Sequence, residues 1–338
     1  MKIVNLLLCI LCVQIGYSQR SDFAEISFTK ADSIAMHYKG ASLNKLPILV
    51  HNLTVNLKTD VEKFRAIYTW VSTNIENDYD SYAKTKRKRS KILKNKNAFL
   101  DWNKSYTPKV FKKLIQNKKT ACTGYAYLLR EMTNLASIPC EIVNGYGKTA
   151  TVPLNLKSLP NHSWNRVLLN NKWYLCDATW SAGQTNLDEN NIPKFNFEYH
   201  DGYFLATPEL FILNHYPLDS LNSGLKKEVT FKEFIAFPIV YNNAFKYDII
   251  PTSPTTLEQQ LTKNETLNIT LLSLKKYEVT KLNYKIGNGS SYKDGNLIEL
   301  VKSNKVTLGH TFTKTGVFDI QIYYGDQILY TYVAKIKR

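Results

Sequence analysis

Cys122, His162 and Asp177 have the side-chain types that thiol acyl transfer requires, in an order and setting that could bring them together. A cysteine attacks a carbonyl as the thiolate. It therefore needs a depressed pKa, a base within reach and a group that orients the base. Cys122 opens a stretch in which Ala126, Leu129, Met132 and Ala136 recur on one helical stripe, so the spacing predicts a helix over residues 122–136. The amides and dipole of a helix start favour a thiolate, and Lys118 and Lys119 add positive charge. Gly124 leaves room for close approach of a substrate or of backbone.

The other two residues belong to one predicted β-hairpin over residues 163–180, turned at Asn170-Asn171, where Asn tolerates the left-handed backbone such turns demand. A two-residue turn there pairs Leu169 with Lys172, Val167 with Tyr174 and Trp164 with Asp177. His162 and Asp177 then share a face as diagonal neighbours, roughly 7 Å apart at Cβ. A carboxylate at that distance can hold an imidazole in one tautomer and favour its protonated form. Trp164 would shield the pair from water, and a one-residue slip in register would separate it.

Other elements must hold these pieces. Residues 19–58 read as a short helical approach segment. Thr59 and Glu62 form a capping box, followed by Val61, Phe64, Tyr68, Val71 and Ile75 at helical spacing. Residues 84–97 hold eight Lys and Arg and no acid, read here as a solvated insertion loop in preference to an electrostatic docking patch. A strand is expected over 141–146, a short strand at Tyr203 and a helix over 208–214. Beyond a proline- and threonine-bearing linker at 251–256, alternating runs at 267–271, 279–286, 297–301, 306–312 and 317–324 predict a small β-sandwich.

The blocks KKTACTGYAYLLREMTNLASIPCEIVNGYGK, NHSWNRVLLNNKWYLCDATWSAG and YFLATPELFILNHYP together resemble the transglutaminase-like superfamily, and within it the kyphoscoliosis-peptidase-like branch. With residues 65–79 they cover about residues 60–217. The resemblance implies an α+β fold: a papain-like transglutaminase core followed by a small immunoglobulin-like β-sandwich. It makes Cys122 the nucleophile, His162 the general base and Asp177 the orienting acid. Thr120 stands where the family usually has Gly. The motifs do not assign the oxyanion donor; the Cys122 N–H is one candidate, with Gln116 or Trp102 as side-chain candidates. The expected divisions are 1–18 signal peptide, 19–58 approach segment, 59–245 transglutaminase-like domain and 246–338 β-sandwich.

Composition bounds the alternatives. Forty-four Lys and Arg against 28 Asp and Glu give a formal net charge of +16. The cations are spread along the chain without interleaved aromatics, so no nucleic-acid partner is expected. Lys2, an apolar run over 3–15 and the small residues Gly16 and Ser18 read as a secretory signal, which places the mature protein outside the cell, in the periplasm or at the cell surface. No transmembrane segment is expected after its removal. Of the cysteines, Cys122, Cys140 and Cys176 then remain, too few for a disulfide framework. Cys140 and Cys176 read as core thiols, and His200 and His215 as structural histidines without metal-ligand spacing. No metal or cofactor is expected. Asn161-His162-Ser163 is formally a glycosylation sequon, but a glycan there would block His162.

Two functions fit these features. One is a secreted thiol enzyme acting on protein or peptide amides through a Cys122 acyl-enzyme, by hydrolysis or by transfer to an amine. The other is a catalytically silent scaffold of the same fold, meeting a cell-surface partner through the β-sandwich.

Overall fold

The computed structural model describes residues 20–92, 96–274, 278–289, 291–295, 298–302 and 304–338. The expected signal segment, with Cys9 and Cys12, lies outside them. Helices α1 (Thr29–His37) and α2 (Leu46–Thr54) lead into α3 (Asp60–Asn74). The capping box forms: the Thr59 hydroxyl accepts the Glu62 N–H at 3.3 Å, and the Glu62 carboxylate accepts the Thr59 N–H at 2.9 Å. Such a cap stabilises a helix start by about 1 kcal/mol. Helix α3 is the spine of the amino-terminal half, burying Phe64, Ile67, Tyr68, Trp70 and Val71 completely. Its buried Arg65 donates to both Asp32 oxygens of α1, at 2.7 and 2.9 Å, and to Asp201 at 3.0 Å.

Strand β1 (Glu76–Asn77) precedes helices α4 (Tyr79–Ile92) and α5 (Lys96–Asn117), and pairs in parallel with β2 (Lys119–Thr120). Residues 84–92 are therefore helical, not the loop expected from their charge. Lys and Arg are good helix formers, and Lys84, Lys86, Arg87, Lys88 and Lys91 all stand in solvent. The first turn is anchored by Asp78, which accepts from the Ser81 N–H at 3.0 Å and from Lys113 of α5.

Helix α6 (Cys122–Leu135) then packs on an antiparallel sheet of β3 (Cys140–Gly147), β4 (His162–Leu169) and β5 (Lys172–Cys176). A one-turn helix, α7 (Ala178–Ala182), follows β5. Strands β6 (Gly183–Leu187) and β7 (Pro193–Phe197) form a separate hairpin, and α8 (Pro208–Phe211) leads to β8 (His215–Pro217). The last strand joins β3 to complete the order β5-β4-β3-β8. Tyr203 lies in a 3-10 turn (Asp201–Tyr203), not a strand; its ring is fully buried, and the aromatic texture there is core rather than sheet.

After α9 (Phe231–Ala236), strand β9 (Ile239–Val240) and α10 (Asn242–Tyr247) come β10 (Ile249–Ser253), β11 (Glu258–Thr262), β12 (Thr266–Ser273), β13 (Leu282–Gly287), β14 (Tyr292–Asp294), β15 (Ile298–Lys302), β16 (Lys305–Thr311), β17 (Gly316–Tyr324) and β18 (Gln327–Lys337). One sheet runs β10-β12-β16-β15. The other runs β11-β18-β17-β13-β14, with β9 also on β18. Their inner faces meet through Ile269, Leu308, Tyr284 and Ile320, the layered packing of a sandwich. The expected linker at 251–256 is partly sheet, because β10 pairs with β12. Its proline is tolerated on an edge strand.

Two cores result. One lies between α3, α6 and one face of the β3–β5 sheet. The second starts on the opposite face with Val143, Trp164 and Leu175, passes through residues 203–213 and continues into the sandwich. No helix of the described residues is long and apolar enough to cross a membrane.

Candidate active site

Helix α6 begins at the sulfur. Its N-cap, Ala121, offers no side-chain acceptor, so the Cys122 and Thr123 amides of the first turn are left to meet negative charge. Thr120, where Gly is usual in the resembling family, lays its side chain over the helix. A Cβ on Gly124 would stand 1.9 Å from Thr120 Oγ1. The space at Gly124 is thus taken by Thr120, not by an approaching substrate.

The hairpin supplies the partners. Asn170 and Asn171 both take positive φ, 48° and 61°, and the register pairs Leu169 with Lys172, Val167 with Tyr174 and Asn165 with Cys176. Pairing stops there, because Asp177 leaves the strand to cap α7: its Oδ1 accepts the N–H groups of Thr179 at 2.7 Å and Trp180 at 3.2 Å. Asp177 Oδ2 lies 2.6 Å from His162 Nε2. The His162 imidazole and the Ser163 backbone N–H both act on the Cys122 thiol, favouring its thiolate. Trp180 stacks on His162 with ring centres 4.8 Å apart. Gly147 leaves room for both side chains, since a Cβ there would lie 3.0 Å from the His162 Cβ and 3.0 Å from the Trp180 ring. Trp164 is buried beside both histidines, 5.9 Å from His162 and 5.0 Å from His215.

The electrostatics favour an ion pair. Burial alone would raise the Cys122 thiol, but His162, through charge and hydrogen bond, and the Ser163 N–H bring it below the ordinary thiol value. Burial would lower His162, yet Asp177 and Cys122 outweigh it and raise the ring to about 10. Asp177 loses to burial and gains more from His162 and His215, ending well below the usual carboxylate range. The other two described thiols behave oppositely: burial pushes Cys140 up to about 12 and Cys176 well above its ordinary value.

His215, read from the sequence as a structural histidine, reaches the same carboxylate. Its Nε2 is 3.0 Å from Asp177 Oδ2, and the ring is fully buried against Phe211, centres 4.0 Å apart. Its spacing from Asp177 carries no local signal. The pointer was the neighbouring apolar sequence LFILNHYP, which buries a polar ring. His162, Asp177 and His215 are near enough to gather a metal ion. Donor atoms around a tetrahedral ion at about 2.0–2.1 Å would stand roughly 3.3 Å apart, so separations of 2.6 and 3.0 Å are those of hydrogen bonds. The side-chain oxyanion candidates sit on α5: Gln116 is exposed, and Trp102 is half-buried and stacked on Tyr106 at 4.8 Å. Tyr82 of α4, not singled out in the sequence, is raised to about 12 by burial and by the nearby Cys122 charge.

A thiol paired with a carboxylate-held imidazole at a helix start defines a papain-like class of site. Residues 48–178 match the model of the transglutaminase-like superfamily. The chain is similar to kyphoscoliosis peptidase of Homo sapiens, 34% identical over 202 residues, covering 59% of this chain and 27% of that protein. It is 27% identical over 237 residues to hillarin of Drosophila melanogaster, covering 66% and 26%. The chain thus spans about a quarter of the length of these relatives. The filamin domain of Lin-41 overlays 27% of the chain and 90% of its own at 10% identity and TM-score 0.22; the sandwich is defined here by its own strand pairing.

Proposed function

We propose that this chain is a transglutaminase-like thiol enzyme that opens protein or peptide amides through a Cys122 thioester. The supporting observation is the selective acidification of one thiol: Cys122, beside His162, is lowered while Cys140 and Cys176, also buried, are raised. The Cys122 thiolate attacks the amide carbonyl, and the oxyanion develops toward the first-turn amides of α6. The His162 imidazolium passes its proton to the leaving amine, the C–N bond breaks, and a thioester remains. Neutral His162 then takes a proton from water, which adds to the thioester, and collapse frees the acid and the Cys122 thiol. An amine in place of water would give transamidation; the peptidase name of the human and mouse relatives favours hydrolysis. The amino-terminal apolar run supports export.

The test is iodoacetamide labelling of the folded protein against pH. Cys122 should be labelled stoichiometrically at a pH well below the ordinary thiol pKa of about 8.5. Reaction no faster than that of denatured cysteine would sink the proposal. A second reading, a silent scaffold, draws on the low exposure of Cys122 and His162, 8% each. It predicts that Cys122→Ala preserves the biological effect, which the enzyme reading forbids.

A further inference from the structure

We propose that His215 is a positioning residue for the Cys122–His162–Asp177 site, acting as a second imidazole donor that fixes the Asp177 carboxylate. The inference rests on the preceding reading of the site and adds a residue that never touches the substrate.

Proton and lone-pair counting carries the argument. An ionised carboxylate offers about four acceptor positions. Asp177 fills them with the Thr179 and Trp180 amides on Oδ1 and the two histidine Nε2 atoms on Oδ2. No water is needed to complete the set, as suits a side chain with 0% exposure. Burial pushes His215 down to about 4 against the pull of Asp177, so the ring is neutral at ordinary pH and has one N–H. The carboxylate takes it. Asn214 Oδ1 stands 2.6 Å from Nδ1, so a bare Nδ1 requires that amide to turn its NH₂ to the ring, with the Tyr203 hydroxyl then donating to Asn214 and accepting from the Asn242 amide. The other end of that amide lies 3.2 Å from the Tyr203 hydroxyl, itself 2.9 Å from Asn242 at the start of α10. The ring is further clamped between Phe211 and Trp180, at 4.0 and 4.3 Å. Asp177 is therefore held from the side of the second core, and a neutral donor holds it without competing for the His162 proton.

A donor that only positions and one that only screens charge predict opposite signs. Without His215, Oδ2 would be held by His162 alone, and a carboxylate free to tilt about its Oδ1 cap would hold the imidazolium less well. The His162 pKa should fall and the Cys122 thiol pKa rise. Loss of a screening donor alone would leave Asp177 more basic and raise His162 instead.

The experiment measures Cys122 alkylation across pH in the full chain carrying His215→Leu or His215→Gln, with thermal unfolding as a folding control. His215→Leu should slow labelling by about ten-fold on the acid limb, below the thiol pKa, where one unit of pKa is a factor of ten, and so move that limb upward. His215→Gln, which keeps a donor near the Nε2 position, should restore most of the rate. A folded His215→Leu variant with an unchanged or downward-shifted limb overturns the proposal. Should that variant fail to fold, ¹⁵N NMR of the wild-type rings decides: a proton on His215 Nε2, unchanged between pH 5 and 9, supports it, and a bare Nε2 overturns it. If wild-type Cys122 is itself unreactive, the enzyme reading falls while the NMR result still judges His215.

Discussion

At the scale of single residues, the site depends on where protons reside. The lowered Cys122 and raised His162 leave a pH window in which both are charged. Alkylation should rise with pH through the depressed thiol value, and turnover should fall again as the imidazolium loses its proton near the raised value. Asp177→Asn tests the third member. Asn keeps an oxygen for the Thr179 and Trp180 amides, so the α7 cap survives. Its NH₂ faces His162 Nε2, which must then become an acceptor, turning the ring proton toward sulfur. Labelling of Cys122 at neutral pH should drop by about two orders of magnitude or more, in a protein that still folds with a lowered thermal midpoint, because the ionised carboxylate's contribution is lost. Unaltered labelling would remove Asp177 from the mechanism. The same carboxylate links stability to pH. A folded pKa below the unfolded one gives stability that is complete above the unfolded value of about 4 and is lost as pH falls through the folded value. The wild-type protein should lose stability in that acid range more steeply than the Asn variant.

At the scale of elements, what could be read in advance was local. The hairpin register followed from two turn asparagines and a period of two, and helix α3 from its capping box and apolar spacing. Both signals are confined to neighbouring residues. Helix α4 was missed because it is specified by propensity and by one anchor at Asp78, without an apolar stripe. His215 was missed because its partner, Asp177, is brought to it by the 3-10 turn at Tyr203 and the β3–β8 pairing. The Thr120–Gly124 contact is likewise tertiary: neither residue alone announces it. It makes a measurable expectation. Gly124→Ala should destabilise the protein by about 1–3 kcal/mol through overpacking against Thr120. In a Thr120→Gly background the same change should cost little, because the obstructing side chain is gone. Denaturant melts of the two single variants and the double variant give the coupling directly. Additive losses would mean that the two positions do not compete for one space.

At the scale of the molecule, the sandwich is part of the frame of the site. Strand β9 lies ahead of α10 yet pairs with β18, placing Ile239 opposite Thr331 and Val240 opposite Tyr330. Tyr203 stacks on Phe245 with ring centres 4.0 Å apart, and the second core runs from Trp164 to Ile336. Two modules joined only by a linker would unfold separately; a shared core of this kind should make them lose structure together. All five tryptophans lie between residues 70 and 180, so their fluorescence reports the amino-terminal half, while amide exchange in β17 and β18 reports the sandwich. The two midpoints should coincide in the wild-type protein. Phe245→Ala, which empties a fully buried junction site, should lower both by the same amount, equivalent to about 3–5 kcal/mol. If only the sandwich amides lose protection while tryptophan fluorescence holds its midpoint, the halves are independent. The chain from Asn242 through Tyr203 to Asp177 would then be a local contact rather than a brace.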